Sequence, residues 1–195
     1  LFNWLFARQN NGKFLLRIED TDFERSKKEY VDQITDALKW LGLNWDEDII
    51  LQSNNNNRHQ EMVNKMLENG TAYRCFLQKD ELDKLRKESD KKKVIFRVPK
   101  TYRNLSSIEQ KKLIDEGKSF TVRIKVPDGE TEFNDMVYGS IKVQNKDLDD
   151  FIIARSDGSP TYNFVVAVDD ADMNISHVIR GDDHLANTPK QILVY

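Results

Sequence analysis

Two short apolar runs near opposite ends of the chain most constrain how it can fold. Phe14-Leu15-Leu16-Arg17-Ile18 leads directly into Glu19-Asp20-Thr21-Asp22, and His177-Val178-Ile179 leads into Arg180-Gly181-Asp182-Asp183-His184. The apolar residues of these runs do not alternate with polar ones. Such strands are covered on both faces, the situation in sheets flanked by helices. Phe151-Ile152-Ile153-Ala154 reads the same way. Helical patterns supply the cover. Leu1 to Gln9 is predicted helical and ends at Asn10-Asn11-Gly12. Ser26 and Glu29 suit a capping box, Val31, Ile34, Leu38 and Leu41 form one stripe, and Gly42 ends it. Met62, Val63, Met66 and Leu67 form another stripe that ends at Gly70, and a last helix begins near Thr188-Pro189. The fold class expected is α/β, a sheet with covering helices.

The middle of the chain has a different rhythm. Thr121-Val122-Arg123-Ile124-Lys125-Val126 alternates, Pro127-Asp128-Gly129 is a turn, and Thr131–Val137 and Ile141–Val143 are further strands. With a charged helix over Asp80–Asp90, this block reads as helices plus an antiparallel sheet. It divides the chain into 1–70, 71–149 and 150–195, an α+β insertion between two α/β pieces. Asn54–Asn57 is read as a solvated loop, and no internal repeat is seen.

Charge is distributed unevenly. The chain carries 30 Lys/Arg against 33 Asp/Glu, a net of −3. Lys79–Lys118 holds 13 basic and 8 acidic residues, or +5, which leaves −8 for the rest. That stretch is a candidate basic surface for a polyanion. No apolar run reaches the roughly 18 residues of a membrane span, so no membrane partner is expected. A single cysteine excludes a disulfide framework and a cysteine-rich zinc site. A hydrophobic fraction of 38% excludes a disordered acidic chain. Leu1–Ala7 has no N-cap before it and Ile192–Tyr195 no C-cap after it, so an internal piece of a longer protein is expected.

Ligands of open α/β sheets bind beyond the carboxyl ends of the strands, where the two polar clusters lie. Arg180 can grip a carboxylate or phosphate with its guanidinium fork, and Glu19 can accept from an ammonium group. One cation and one anion suit a zwitterion such as an amino acid. The pairs Asp20/Asp22, Asp169/Asp170 and Asp182/Asp183 also raise a Mg²⁺-dependent phosphotransferase reading. Their spacing matches no tight metal loop. His59, His177 and His184 have no ligand spacing, and Cys75 reads as a small buried residue. There is no phosphate-binding glycine loop and no nucleophile elbow.

Leu1-Phe2-Asn3-Trp4-Leu5-Phe6-Ala7-Arg8 followed by Gly12 through Asp22 strongly resembles bacterial-type glutamyl-tRNA synthetases. The resemblance continues at Leu38-Lys39-Trp40-Leu41-Gly42-Leu43, Ala72-Tyr73-Arg74-Cys75, Arg155 through Phe164, His177 through Leu185 and Asn187-Thr188-Pro189. It implies a Rossmann-like class I synthetase catalytic domain interrupted by an α+β insertion that binds the tRNA acceptor end. It implies glutamate–tRNA ligase activity in the cytoplasm, or in an organelle of a eukaryote, with L-glutamate, ATP and tRNA(Glu) as partners and Mg²⁺ accompanying ATP. By motif, Glu19, Tyr162 and Arg180 resemble the family's glutamate-binding residues, and Asp183 and His184 its ATP-binding residues. Asp20 and Thr21 shape the loop that positions Glu19. The HIGH and KMSKS motifs and the anticodon domain are expected outside these residues, so no catalytic residue is assigned and the isolated chain is expected to be inactive. Cys75-Phe76-Leu77 replaces the Cys-x-Cys of zinc-binding members, so no zinc is expected. Lys91–Val98 also departs from the family pattern. Alternatives are a glutamyl-queuosine tRNA(Asp) synthetase-type paralogue, which usually has the zinc cysteines, a glutaminyl-tRNA synthetase, and a non-catalytic RNA-binding module.

Overall fold

A computed structural model describes residues 1–20 and 27–195. They divide into two compact units, one of residues 1–58 with 176–181 and one of residues 59–175 with 182–195.

In the first unit, α1 (Phe2–Gln9) precedes β1 (Arg17–Ile18), α2 (Lys28–Trp40) and β2 (Ile50–Leu51). The two strands pair in parallel, Arg17 opposite Ile50 and Ile18 opposite Leu51, with α2 on the crossover. This is the βαβ connection that a parallel pair requires. The α1 turn works because Asn11 takes a left-handed φ of 52°, which a short amide side chain tolerates. α2 stops at Gly42, whose φ is +72°. Ser26 of the expected capping box, Thr21 and Asp22 lie outside the described residues, while Glu29 stands in the first turn of α2. The ion pair of Arg8 with Asp46, at 2.6 Å, ties α1 to the loop before β2. Asp46 also accepts from the Phe14 amide at 2.7 Å. The Arg8 bond, then the Phe14 amide, hold its carboxyl below the usual range.

β1 is shorter than the apolar run that predicts it. Phe14 and Leu16 instead offer carbonyls to Asp46 and Ile50 from irregular backbone. His177–Ile179, read as a strand, has no strand partner among the described residues. It packs on α1 through the rings of His177 and Phe6, 4.8 Å apart. Asn54–Asn57 is helical rather than a loop, spanning a 3-10 turn (Gln52–Asn55) and the start of the next helix. An asparagine run carries no apolar period to signal that helix.

The second unit contains α3 (Asn56–Glu68) from His59 onward, β3 (Ala72–Cys75), α4 (Lys79–Lys91), α5 (Ser107–Asp115), β4 (Thr121–Ile124), β5 (Glu130–Asp135), β6 (Gly139–Gln144), β7 (Ile152–Ala154), α6 (Tyr162–Asp172) and α7 (Thr188–Val194). β3, β4 and β7 form an antiparallel sheet with β4 central, and β5 and β6 form a separate hairpin. The core lies between this sheet and helices α3 and α6. Ile153 and Phe164 are fully buried there, beside Val63, Val122 and Val165. Each such side chain contributes about 1.5–3 kcal/mol by leaving water. Cys75 is buried at 1% exposure. α5 begins with a capping box that the sequence reading did not identify. The Ser106 amide donates to Glu109 at 2.8 Å, and Ser106 Oγ accepts from the Glu109 amide. The divergent segment after Lys93 is irregular, and it is held where the Val98 amide donates to Asp149 and Arg97 pairs with Asp147.

Candidate functional site

The first unit carries Glu19 and Arg180. Glu19 stands exposed just beyond the carboxyl end of β1. Its neighbour Asp20 is clamped: one carboxylate oxygen accepts from the Ser53 amide at 2.8 Å, the other from Ser53 Oγ at 2.6 Å. Ser53 is the second residue of the 3-10 turn that follows β2, so parallel pairing of β1 and β2 brings the two loop ends together. Arg180 is half-buried, in the segment whose Ile179 carbonyl accepts from Asn3 at 3.4 Å.

The second unit brings together Tyr162, Asp183 and His184. Tyr162 is the first residue of α6. Its position is fixed by the residue before it: Thr161 donates from its amide to the Ile153 carbonyl at 2.9 Å and from Oγ1 to the Ile152 carbonyl at 2.7 Å. The preceding turn is closed by Asp157, which accepts from the amide and hydroxyl of Ser159, and by Arg155, which donates to the Pro160 carbonyl. Those two Ser159 bonds, the hydroxyl first, hold the Asp157 carboxyl below its ordinary range. The rings of Tyr162 and His184 are 6.5 Å apart. His184 lies 3.6 Å from the Asp183 carboxylate and faces the Asn187 amide at 3.2 Å through Nδ1. Asp182 accepts from the Tyr138 hydroxyl at 3.1 Å, and that bond raises the phenol's pKa.

Asp169 is fully buried against His59, with Oδ1 2.7 Å from Nε2, and Asp20 and Asp182 bond to Ser53 and Tyr138. Among the described residues no three metal-binding side chains gather at one point.

Asp150 escaped sequence reasoning. It is 2% exposed, accepts from the Tyr73 hydroxyl at 3.1 Å and the Val126 amide at 3.0 Å, and pairs with Arg103 at 3.3 Å. Its carbonyl accepts from Arg123 at 2.6 Å. The only local signal is an acidic residue beside a buried strand, which is too common to single it out.

The model for the catalytic domain of class I tRNA synthetases (E and Q) matches residues 1–195, and the chain belongs to that family. It is 54% identical over 196 residues to a glutamate–tRNA ligase of Aquifex aeolicus, covering all of this chain and 41% of that protein. A glutamate–tRNA ligase 2 of Caldicellulosiruptor saccharolyticus is 50% identical over 204 residues, with 42% of it covered. The solved glutamate tRNA ligase of Elizabethkingia meningosepticum, in complex with its amino acid, superposes with a TM-score of 0.89 at 33% identity, over the whole of this chain and 42% of that one. The chain thus spans about two fifths of the length of these relatives. No described helix is long and apolar enough to cross a membrane.

Proposed function

We propose that this chain forms the glutamate pocket and part of the ATP site of a glutamate–tRNA ligase, acting in the cytoplasm. The observation that carries this is the 54% identity to such an enzyme across every residue of the chain. Residues 1–70 and 150–195 serve as parts of the catalytic domain, and 71–149 as an insertion that binds the acceptor end of tRNA(Glu).

In this reading Glu19 accepts from the substrate ammonium group, and Arg180 pairs with its side-chain carboxylate. Tyr162 forms a wall of the pocket and supplies a hydroxyl. Glutamine is disfavoured because its neutral amide cannot satisfy a guanidinium fork. Asp183 and His184 hold the adenosine part of ATP. The α-carboxylate of glutamate attacks the α-phosphorus of ATP and expels pyrophosphate. A ribose hydroxyl of the tRNA 3′ end then attacks the acyl carbon and expels AMP. Neither step needs a protein nucleophile, so the chain contributes positioning and charge. Magnesium would travel with the ATP phosphates and neutralise them. The described residues offer no three-ligand set for it, and no protein ligand is assigned.

The test is ATP–pyrophosphate exchange by the complete protein at saturating tRNA. Arg180→Ala is expected to raise the glutamate KM by roughly a hundredfold, as loss of a charged hydrogen-bonding partner does, with little change in the ATP KM. Equal effects on both would remove Arg180 from the pocket.

A further inference from the structure

We infer that Tyr138 is a positioning residue for the ATP site, its hydroxyl fixing the turn that carries Asp183 and His184. This rests on the reading above, in which those two residues hold the adenosine part of ATP. Tyr138 stands at the tip of the β5–β6 hairpin and donates to Asp182 Oδ1 at 3.1 Å, 44 positions further along the chain. Both residues belong to the second unit. Asp182 is the first residue of a 3-10 turn (Asp182–Asn187) and the immediate neighbour of Asp183.

The turn lacks other support at that end. Asp182, Asp183 and His184 are all exposed, so packing does not hold them. The far end is anchored, because the turn runs straight into α7, where Pro189 and Gln191 are buried. Gln191 Nε2 donates to Asn163 Oδ1 at 3.3 Å, which ties α7 to the first turn of α6 beside Tyr162. At the near end the Tyr138 hydroxyl is the corresponding tether for Asp182. A turn held in one arrangement loses less freedom when a ligand binds to it.

The hairpin tip is stiff enough to serve as a strut. Asp135 Oδ1 accepts from the Val137 amide at 2.8 Å and the Tyr138 amide at 2.9 Å. The Tyr138 amide, then the Val137 amide, hold the Asp135 carboxyl below its usual range. Gly139 closes the tip at a φ of +78°, which glycine adopts without a side-chain clash. Behind the tip, Glu132 accepts from Ser140 Oγ at 2.8 Å and pairs with Lys142 at 3.1 Å across the two strands. Met136 shares the tip at 81% exposure, and its thioether has no donor to offer the turn.

The experiment uses the complete protein. Kd for ATP is measured by equilibrium dialysis without glutamate, and deuterium exchange of the Asp183 and His184 amides is followed alongside. Tyr138→Phe removes one oxygen and is expected to raise the ATP Kd about threefold and to speed those amides by a similar factor, as loss of one solvated hydrogen bond does. In pyrophosphate exchange the ATP KM should rise with it, while kcat and the glutamate KM are retained. Asp182→Asn keeps an acceptor oxygen and should stay near the unaltered protein. Asp182→Ala should match Tyr138→Phe, and the double variant should lose no more than either alone. Met136→Ser should leave every readout unchanged. An ATP Kd unchanged in Tyr138→Phe overturns the proposal, and so do effects of Tyr138→Phe and Asp182→Ala that simply add. An unaltered protein that binds ATP but shows no glutamate-dependent pyrophosphate exchange would sink the ligase reading, while the ATP Kd values would still decide the role of Tyr138.

Discussion

The imidazole of His59 and the carboxylate of Asp169 meet at 2.7 Å with both side chains at 0% exposure. The pair joins α3 to α6 inside the core of the second unit, and Tyr162 begins the latter helix. His59 Nδ1 is buried with no partner among the described residues, so the imidazole depends on Asp169 for its polar contact. Removing Asp169 leaves the imidazole's polar atoms buried without a partner, at a cost of about 1–3 kcal/mol. Asp169→Ala is expected to lower the unfolding free energy by about that amount, and Asp169→Asn by less. A urea midpoint unchanged in Asp169→Ala would show the pair to be dispensable.

Asp150 serves three donors from separate segments: the Tyr73 hydroxyl on β3, Arg103, and the Val126 amide after β4. Asp150→Ala leaves the Tyr73 hydroxyl and the Val126 amide unsatisfied, at about 1–3 kcal/mol each, while Arg103 keeps the Val126 carbonyl. We expect a loss of at least about 2 kcal/mol in denaturant unfolding.

Tyr73 makes stability sensitive to alkali. Burial, first, and then the Asp150 charge raise its phenol above the ordinary value of 10.0. The folded protein therefore keeps the proton where the unfolded chain releases it. The stabilisation is complete below pH 10.0 and declines as pH rises from there toward the folded-state value. Tyr73→Phe cannot titrate, so its thermal midpoint should fall less steeply above about pH 10 than that of the unaltered protein. Parallel curves for the two would contradict this.

The Asp20–Ser53 clamp sets the backbone from which Glu19 projects. Asp20→Ala removes two hydrogen bonds to one carboxylate and should raise the glutamate KM by roughly tenfold without a matching change for ATP. Asp20→Asn retains one acceptor and should fall between. Equal KM changes for both substrates would point to general unfolding of the loop.

His184 faces Tyr162 on one side and Asn187 on the other. Its replacement by alanine should raise the ATP KM by roughly fivefold and leave the glutamate KM within about twofold. The reverse pattern in steady-state exchange kinetics would exchange the roles assigned to His184 and Tyr162.

The helical stripes were legible because each repeats an apolar residue every three or four positions, as α2 does from Val31 to Leu41 and α3 from Met62 to Leu67. The alternation in Thr121–Val126 marked β4 for the same kind of reason. His177–Ile179 is no strand because an apolar triplet carries no period, and Val178 and Ile179 stand exposed at 53% and 38%. At the candidate site, Glu19, Tyr162, Arg180, Asp183 and His184 came from motif resemblance. Spacing alone left them no stronger than ordinary polar strand ends and caps.

The residue order by itself determined the alternation of helices and strands, the placement of polar clusters after the apolar runs, and a basic stretch inside an acidic chain. These depend on neighbours within a few positions, where backbone propensity and side-chain period act. Only tertiary structure decided that Asp150 would collect Tyr73, Arg103 and Val126, that His59 would meet Asp169 across 110 positions, and that Arg74 and Lys125 would face one cleft. Buried polar groups must find partners wherever the packed chain brings them, and sequence distance says nothing about which partner that is.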